Sequence, residues 1–342
     1  RFMSIPYRTR RILNRVGTAA MALLLVGIFA WLCWIVWLQR YVVYTRSEGA
    51  VLDFEMSETL PAGQEAKPQE SELDIEIYYN EGEAKVDLST DLAQIKGYYV
   101  LGSSVASDPN GVWEQIQSLP AGTPVMLDLK SIYGMFYYST STGRPVSDSA
   151  DVRGVDMLIN NLKSSDYYTI ARVPALRDRD YGLNNTNEGL PVSGGYLWMD
   201  EDGCYWLNPA RKAIINYLKD IATELQALGF DEVVFDEYYF PETDRIIFDG
   251  DKKQTLEETA QTLVTACATD SFAVSFVSDG SWEAPTGRSR IYRDDISDAI
   301  KLMELTNDLT MENPESRLVL LTNNLDTRFE VYSILRPIEL AH

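Results

Sequence analysis

Four acids, a lysine and an arginine stand where they could do chemistry: Asp128 and Lys130, Arg172, Asp236 with Glu237, and Asp279. Each lies at or just past the end of a short apolar run. The single histidine, His342, is the last residue, so Ser-His-Asp and Cys-His catalysis and His-based zinc sites lack material. Acid-base work falls to carboxylates. Two carboxyl groups flanking a sugar bond, one ionised and one protonated, can cleave it without histidine, metal or cofactor. The expected catalytic set is therefore Asp236, Asp128, Glu237 and Asp279, with no metal and no cofactor. Lys130 and Arg172, with the rings of Tyr138, Trp198, Trp206, Tyr238 and Trp282, are the candidate substrate contacts, since aromatic faces stack on sugar rings. Each position also has a plainer reading. Arg172 could simply pair Asp128 or Asp236, Asp279-Gly280 could be a turn, and many of the rings could pack loops.

Parallel strands separated by amphipathic helices would place such residues together, because active groups of α/β barrels gather at the C-terminal ends of the strands. Strands are expected at 98–102, 124–130, 167–173, 232–238, 272–278 and 317–323. Helices are expected at 111–118, 152–163, 209–228, 253–269, 295–308 and 327–336. The best of these helices runs from Pro209, behind an Asn208 N-cap, to a stop at Gly229. Alternation along 232–236 puts Val234 and Asp236 inside the barrel and Val233 and Phe235 toward the helices. Glu237 then faces the helix layer unless the strand ends or bulges there. No glycine-rich phosphate loop follows the first strand, which disfavours nucleotide folds. The expectation is a TIM-type (β/α) barrel in which only six strands are evident where eight are needed, the other two hidden in 281–316, supplied by other segments, or missing from an incomplete or shortened C-terminal end.

The 342 residues carry 30 Lys plus Arg against 51 Asp plus Glu, a formal charge of −21. Residues 1–46 hold seven arginines and no acid, so the remainder is still more acidic and would be repelled by nucleic acid and by anionic lipid. The run 16–38 is uncharged and would reach about 34 Å as a helix, enough to cross a lipid bilayer. Five arginines precede it and two follow closely, which places the N-terminus in the cytoplasm and the acidic domain outside. The resulting plan is a basic cytoplasmic segment at 1–15, a transmembrane helix at 16–38, an extracellular stalk or linker at 39–72, a β-hairpin cap at 73–95 and a barrel at 96–342. The sequence begins with Arg1 rather than Met, consistent with a few residues preceding it. Cys204 and Cys267 could form at most one disulfide, and two free thiols are expected.

GFDEVVFDEYYFP (229–241) resembles the GFDEIQFDYIRFP-type signature of a glycoside hydrolase domain family of bacterial exported proteins, a TIM barrel distantly similar to the α-amylase group. KGYYVLGSS, PVMLDLKSIYGMFYYST, YYTIARVPALRDRD and YLWMDEDGCYWLNPA extend the resemblance, in order, over about 96–245. It implies a nucleophilic or stabilising carboxylate at Asp236. The chain departs from the pattern where Glu237-Tyr238-Tyr239 replaces the family's Tyr-x-Arg, where Asn208 replaces an Asp, and beyond Phe272. Taken with the uncharged run 16–38 and its flanking arginines, the resemblance leads to the expectation of a membrane-anchored extracellular glycoside hydrolase-like barrel acting on a polysaccharide or cell-envelope glycan. The alternative is a noncatalytic glycan-binding or envelope-scaffold module on a degenerate barrel.

Overall fold

The computed structural model describes residues 42–45, 49–52, 92–307 and 311–338, and the chain divides into two units, Arg1–Tyr78 and Tyr79–His342. In the first unit, β1 (Val42–Thr45) and β2 (Gly49–Leu52) pair antiparallel, Val42 opposite Leu52, within the segment expected as a stalk. The run 16–38 and nearly all of the expected hairpin at 73–95 lie outside the described residues. Among the described residues no helix is long and apolar enough to cross a membrane.

Eight parallel strands close a barrel in the second unit: β3 (Lys96–Val100), β4 (Pro124–Asp128), β5 (Tyr168–Pro174), β6 (Glu232–Asp236), β7 (Ala273–Val277), β8 (Ile291–Arg293), β9 (Leu318–Leu321) and β10 (Ser333–Pro337). Strand β10 pairs with both β9 and β3. The barrel is therefore complete rather than shortened, and the two strands without a clear sequence pattern are β8, within 281–316, and β10, in a segment expected as helix. Strand β8 has only three residues, too few to show a period. The helix expected at 327–336 is instead a short 3-10 turn (Phe329–Val331) followed by β10. A short apolar run such as Ser333-Ile334-Leu335 fits helix or strand equally, and Pro337 could not have continued a helix.

Helices cover the barrel unevenly. After β3 come α1 (Gly102–Ser107) and α2 (Pro109–Gln117), after β4 comes α3 (Val152–Lys163), after β5 come α4 (Arg179–Asn184) and α5 (Lys212–Leu228), and after β6 comes α6 (Lys252–Cys267). No helix separates β7 from β8, and among the described residues only α7 (Ala299–Asn307) and the single-turn α8 (Pro314–Arg317) stand between β8 and β9. Helix α5 starts at Lys212 rather than Pro209. Asn208 accepts the Ala210 N–H and so caps a turn ahead of the helix, and Arg211 is the N-cap. Its stop is as expected, with Gly229 at φ 99° ending the helix in the left-handed region that glycine enters freely.

Two apolar layers result. Ile214, Leu218, Ile221 and Leu225 of α5 pack with Val233 and Phe235 on the helix side, whereas Met126, Ile170, Val234, Tyr292, Val319 and Leu335 fill the barrel interior. Alternation along β6 is thus as expected. The lower barrel is closed by a buried polar group. Glu232 and Arg290 are paired at 2.5 Å, and Glu232 also accepts from the Tyr168 and Tyr292 hydroxyls at 2.9 and 3.0 Å. Cys204 and Cys267 are free thiols.

Candidate active site

Alternation that sends Met126, Ile170 and Val234 inward also turns Asp128, Arg172 and Asp236, two residues further on, into the mouth. The three side chains converge there. Arg172 binds Asp128 in a two-point fork, Nε to Oδ1 at 2.6 Å and Nη2 to Oδ2 at 2.9 Å, and its Nη1 lies 3.7 Å from Asp236 Oδ2. Asp128 is further fixed by the Gly102 N–H at 3.1 Å. Glycine is needed at that point, because a Cβ at 102 would lie 2.8 Å from the Tyr137 ring. Tyr99 of β3 sits with its ring 5.8 Å from the Arg172 guanidinium.

Burial pushes the Asp236 carboxyl up to about 6. Arg172 opposes this rise, and the neighbouring Glu237 charge adds to it. Strand β6 ends at Asp236, and Glu237 follows in the left-handed region at φ 51°, unusual for a residue with a side chain. Its N–H donates to Asp236 Oδ1 at 2.7 Å. Its carboxylate accepts from the Tyr239 hydroxyl at 2.7 Å and from Arg177 Nη1 at 3.2 Å. Glu237 therefore belongs to the loops around the mouth rather than to the helix layer, because the strand stops one residue before it.

Several sequence candidates lie elsewhere. Lys130 is fully buried in an ion pair with Asp178 at 2.8 Å and donates to the Pro174 carbonyl, so it is no substrate contact. Asp178 also accepts from the Tyr217 hydroxyl, which ties the loops after β4 and β5 to α5. Asp279 is exposed and accepts the Ser281 N–H, the turn reading of Asp279-Gly280, and it lines a cavity with Trp282 and Arg293 to which Asp128, Arg172 and Asp236 do not contribute. Tyr138 is buried with its hydroxyl on Glu224, and Tyr238 is buried with its hydroxyl on the Leu256 carbonyl. Trp282 packs edge-on against Tyr238 and Phe276. Trp206 is buried and donates to Asp200. Burial removes these four rings as sugar platforms. Trp198 alone among the five rings stays partly exposed, beneath Arg245.

Two further residues of the mouth were not singled out by the sequence pattern. Asp294 directly follows β8, is exposed, and its charge reaches both Arg172 and Tyr99. In the loop after β5, Arg177 contacts Asp200, Asp202 and Glu237. Arg177 was visible within the YYTIARVPALRDRD stretch, whereas Asp294 depended on recognising a three-residue strand. Among the described residues no cluster of three His, Cys, Asp or Glu could hold a metal ion.

The sequence profile of a family described as "Putative glycosyl hydrolase domain" matches residues 101–275, from the end of β3 into β7. No curated protein matches the chain. Among solved structures, a hypothetical protein from Ruminiclostridium thermocellum ATCC 27405 is 20% identical, with 52% of this chain and 96% of that one covered and a TM-score of 0.45. The alpha-galactosidase from Lactobacillus brevis is 10% identical, covering 73% of this chain but 38% of that one, with a TM-score of 0.49. The alpha-galactosidase TtGalA from Thermus thermophilus is 11% identical, covering 59% of this chain and 42% of that one, with a TM-score of 0.41.

Proposed function

The chain belongs to this family of glycosyl hydrolase domains, and from that premise we propose that it is a carboxylate-based glycoside hydrolase whose centre is Asp236. The observation that carries the reading is the convergence of Asp128, Arg172 and Asp236 at the C-terminal ends of β4, β5 and β6. Above pH 6 Asp236 is ionised, and beside the Arg172 guanidinium it can attack or stabilise an oxocarbenium-like anomeric carbon. Asp294 supplies the second carboxyl group, which protonates the departing glycosidic oxygen and afterwards takes a proton from the incoming water. Asp128 is locked to Arg172 and orients it rather than reacting. The substrate is a polysaccharide or cell-envelope glycan, neutral or cationic in keeping with the acidity of the chain.

Full-length protein and its Asp236→Asn and Asp294→Asn variants should be compared for release of reducing ends from a panel of envelope and plant glycans. Each substitution removes a charge with little change of shape, so turnover is expected to fall by about two orders of magnitude or more. Equal turnover by the parent and Asp236→Asn overturns the assignment. Glycan binding by the parent with no turnover on the whole panel favours the noncatalytic module. The uncharged run 16–38 with its flanking arginines supports a membrane-anchored protein whose acidic domain faces outward. Protease added to intact cells is then expected to remove that domain, and full protection until the membrane is opened overturns the orientation.

A further inference from the structure

Beside Asp236 lies a circuit of side chains that the proposed chemistry leaves unused. Arg177 enters it from the loop after β5 and gives each nitrogen to a different carboxylate: Nη1 to Glu237 at 3.2 Å, Nε to Asp200 at 2.6 Å and Nη2 to Asp202 at 2.5 Å. The turn holding the two aspartates is itself fixed, because Asp200 Oδ1 accepts the N–H groups of Asp202 and Cys204. The Trp206 indole donates to Asp200 Oδ2 at 3.0 Å, its ring lies 4.9 Å from that of Tyr239, and the Tyr239 hydroxyl returns to Glu237 at 2.7 Å. Glu237, Arg177, Asp200, Trp206 and Tyr239 thus close on one another. At the strained point of the circuit, φ 51° at Glu237, the backbone N–H meets Asp236. A left-handed residue with a Cβ is strained and persists only where its surroundings hold it.

We propose that Arg177 is a positioning residue for Asp236, acting through Glu237: it holds Glu237 in the conformation that directs its N–H at the Asp236 carboxylate, and it neutralises the Glu237 charge beside that carboxylate. The inference rests on the reading of Asp236 as the reacting group, but its test needs no substrate. The charged and titratable groups facing Asp236 are Arg172 from β5, Asp128 from β4, and Glu237 and Tyr239 from its own loop. Tyr99 from β3 and Asp294 after β8 reach the same guanidinium, while β7 contributes Ser275 and Val277, which do not titrate. Of these groups only Glu237 is hydrogen-bonded to Arg177, so Arg177 should affect Asp236 by that route.

The experiment is a carboxyl-carbon NMR titration of the full chain labelled with 13C-aspartate, the Asp236 signal being identified by its loss in Asp236→Asn. The parent midpoint is expected at about 6. Arg177→Met leaves the Glu237 charge uncompensated and should raise the midpoint by roughly 0.5–1 pH unit. Arg177→Lys keeps the charge but cannot make all three contacts, and should fall between the two. Glu237→Gln added to Arg177→Met should bring the midpoint back to the parent value or below. An unchanged midpoint in Arg177→Met, or an upward shift that survives Glu237→Gln, overturns the proposal. Should Arg177→Met fail to fold by circular dichroism, Arg177→Lys with and without Glu237→Gln makes the same distinction with a smaller shift. Absence of hydrolysis in the parent leaves this titration intact, whereas hydrolysis with an unmoved midpoint retains the function and rejects the positioning role.

Discussion

The two halves of the barrel solve the same packing problem differently. From β3 to β6 every connection carries a helix, and α5 alone buries Ile214, Leu218, Ile221 and Leu225 against the sheet. From β7 to β10 two strands are short, three residues in β8 and four in β9, the β7–β8 connection has no helix, and the β9–β10 connection has only a 3-10 turn. A cavity of about 830 Å³ lies over the outer face there, lined in part by Ile291, Arg293 and Leu318 from the strands and by Leu305 from α7. The catalytic candidates and their supports come almost wholly from the covered half, with Asp294 the exception. A well-backed wall permits charged groups to be held in fixed relation at its rim, since each is aimed by a strand whose own position is set by packing. The Glu232–Arg290 pair with Tyr168 and Tyr292 links the halves at the opposite end, joining β5 and β6 to β8.

Removing equal side chains from the two helix layers puts this contrast under the most strain. Leu225→Ala in α5 opens a hole among fully buried neighbours and is expected to cost about 3–5 kcal/mol. Leu302 of α7 is also buried, but it packs with Ile296 and Leu318, which themselves line the cavity. Leu302→Ala is expected to cost about 2 kcal/mol or less, because the surroundings can collapse into space already present. Urea unfolding of both variants measures the difference, and equal losses would show that the thinly covered half packs as tightly as the other.

The same contrast governs how much was legible in the sequence. In the first half the periods are long enough that β4, β5, β6 and α3 fall within about two residues of their expected bounds, and alternation sends Val234 and Asp236 inward as expected. Asp128, Arg172 and Asp236 were legible because each closes a recognisable apolar run. The rings were not, since an aromatic in a loop looks the same whether it faces solvent or, like Tyr138 and Tyr238, seats its hydroxyl on Glu224 or the Leu256 carbonyl. Lys130 misled for a related reason. The chain leaves the strand after Asp128, so Lys130 turns to Asp178, a partner in the loop after β5 that no local pattern announces. In the second half the three residues of β8 and the Ser333-Ile334-Leu335 run carried no decisive period, and Asp294 was missed along with the strand before it.

A smaller effect separates the halves by the sign of a pH dependence. Asp236 titrates near 6 when folded, against about 3.9 for an unperturbed aspartate, so between these values the folded state binds more protons than the unfolded one. Stability therefore falls as pH rises from about 4 to 6, and Asp236→Asn should relieve the burial cost of the charge. The gain is expected to be full above about pH 6, at most about 3 kcal/mol, and to vanish below about pH 4. Asp295, after β8, is the opposite case. The Arg293 fork, with both contacts at 2.8 Å, holds its carboxyl below the usual range against the pull of partial burial. Its charge stabilises the fold above the ordinary carboxylate range, and that contribution is lost as pH falls through the folded value. Asp295→Asn should therefore destabilise at about pH 7, by less than about 1 kcal/mol because the carboxylate is half exposed. Thermal melts of both variants at about pH 4 and about pH 7 read the two signs directly. Destabilisation by Asp236→Asn at neutral pH would mean that its ion pair with Arg172 outweighs burial, and the carboxylate would then be a structural tie rather than a charge held ready at the mouth.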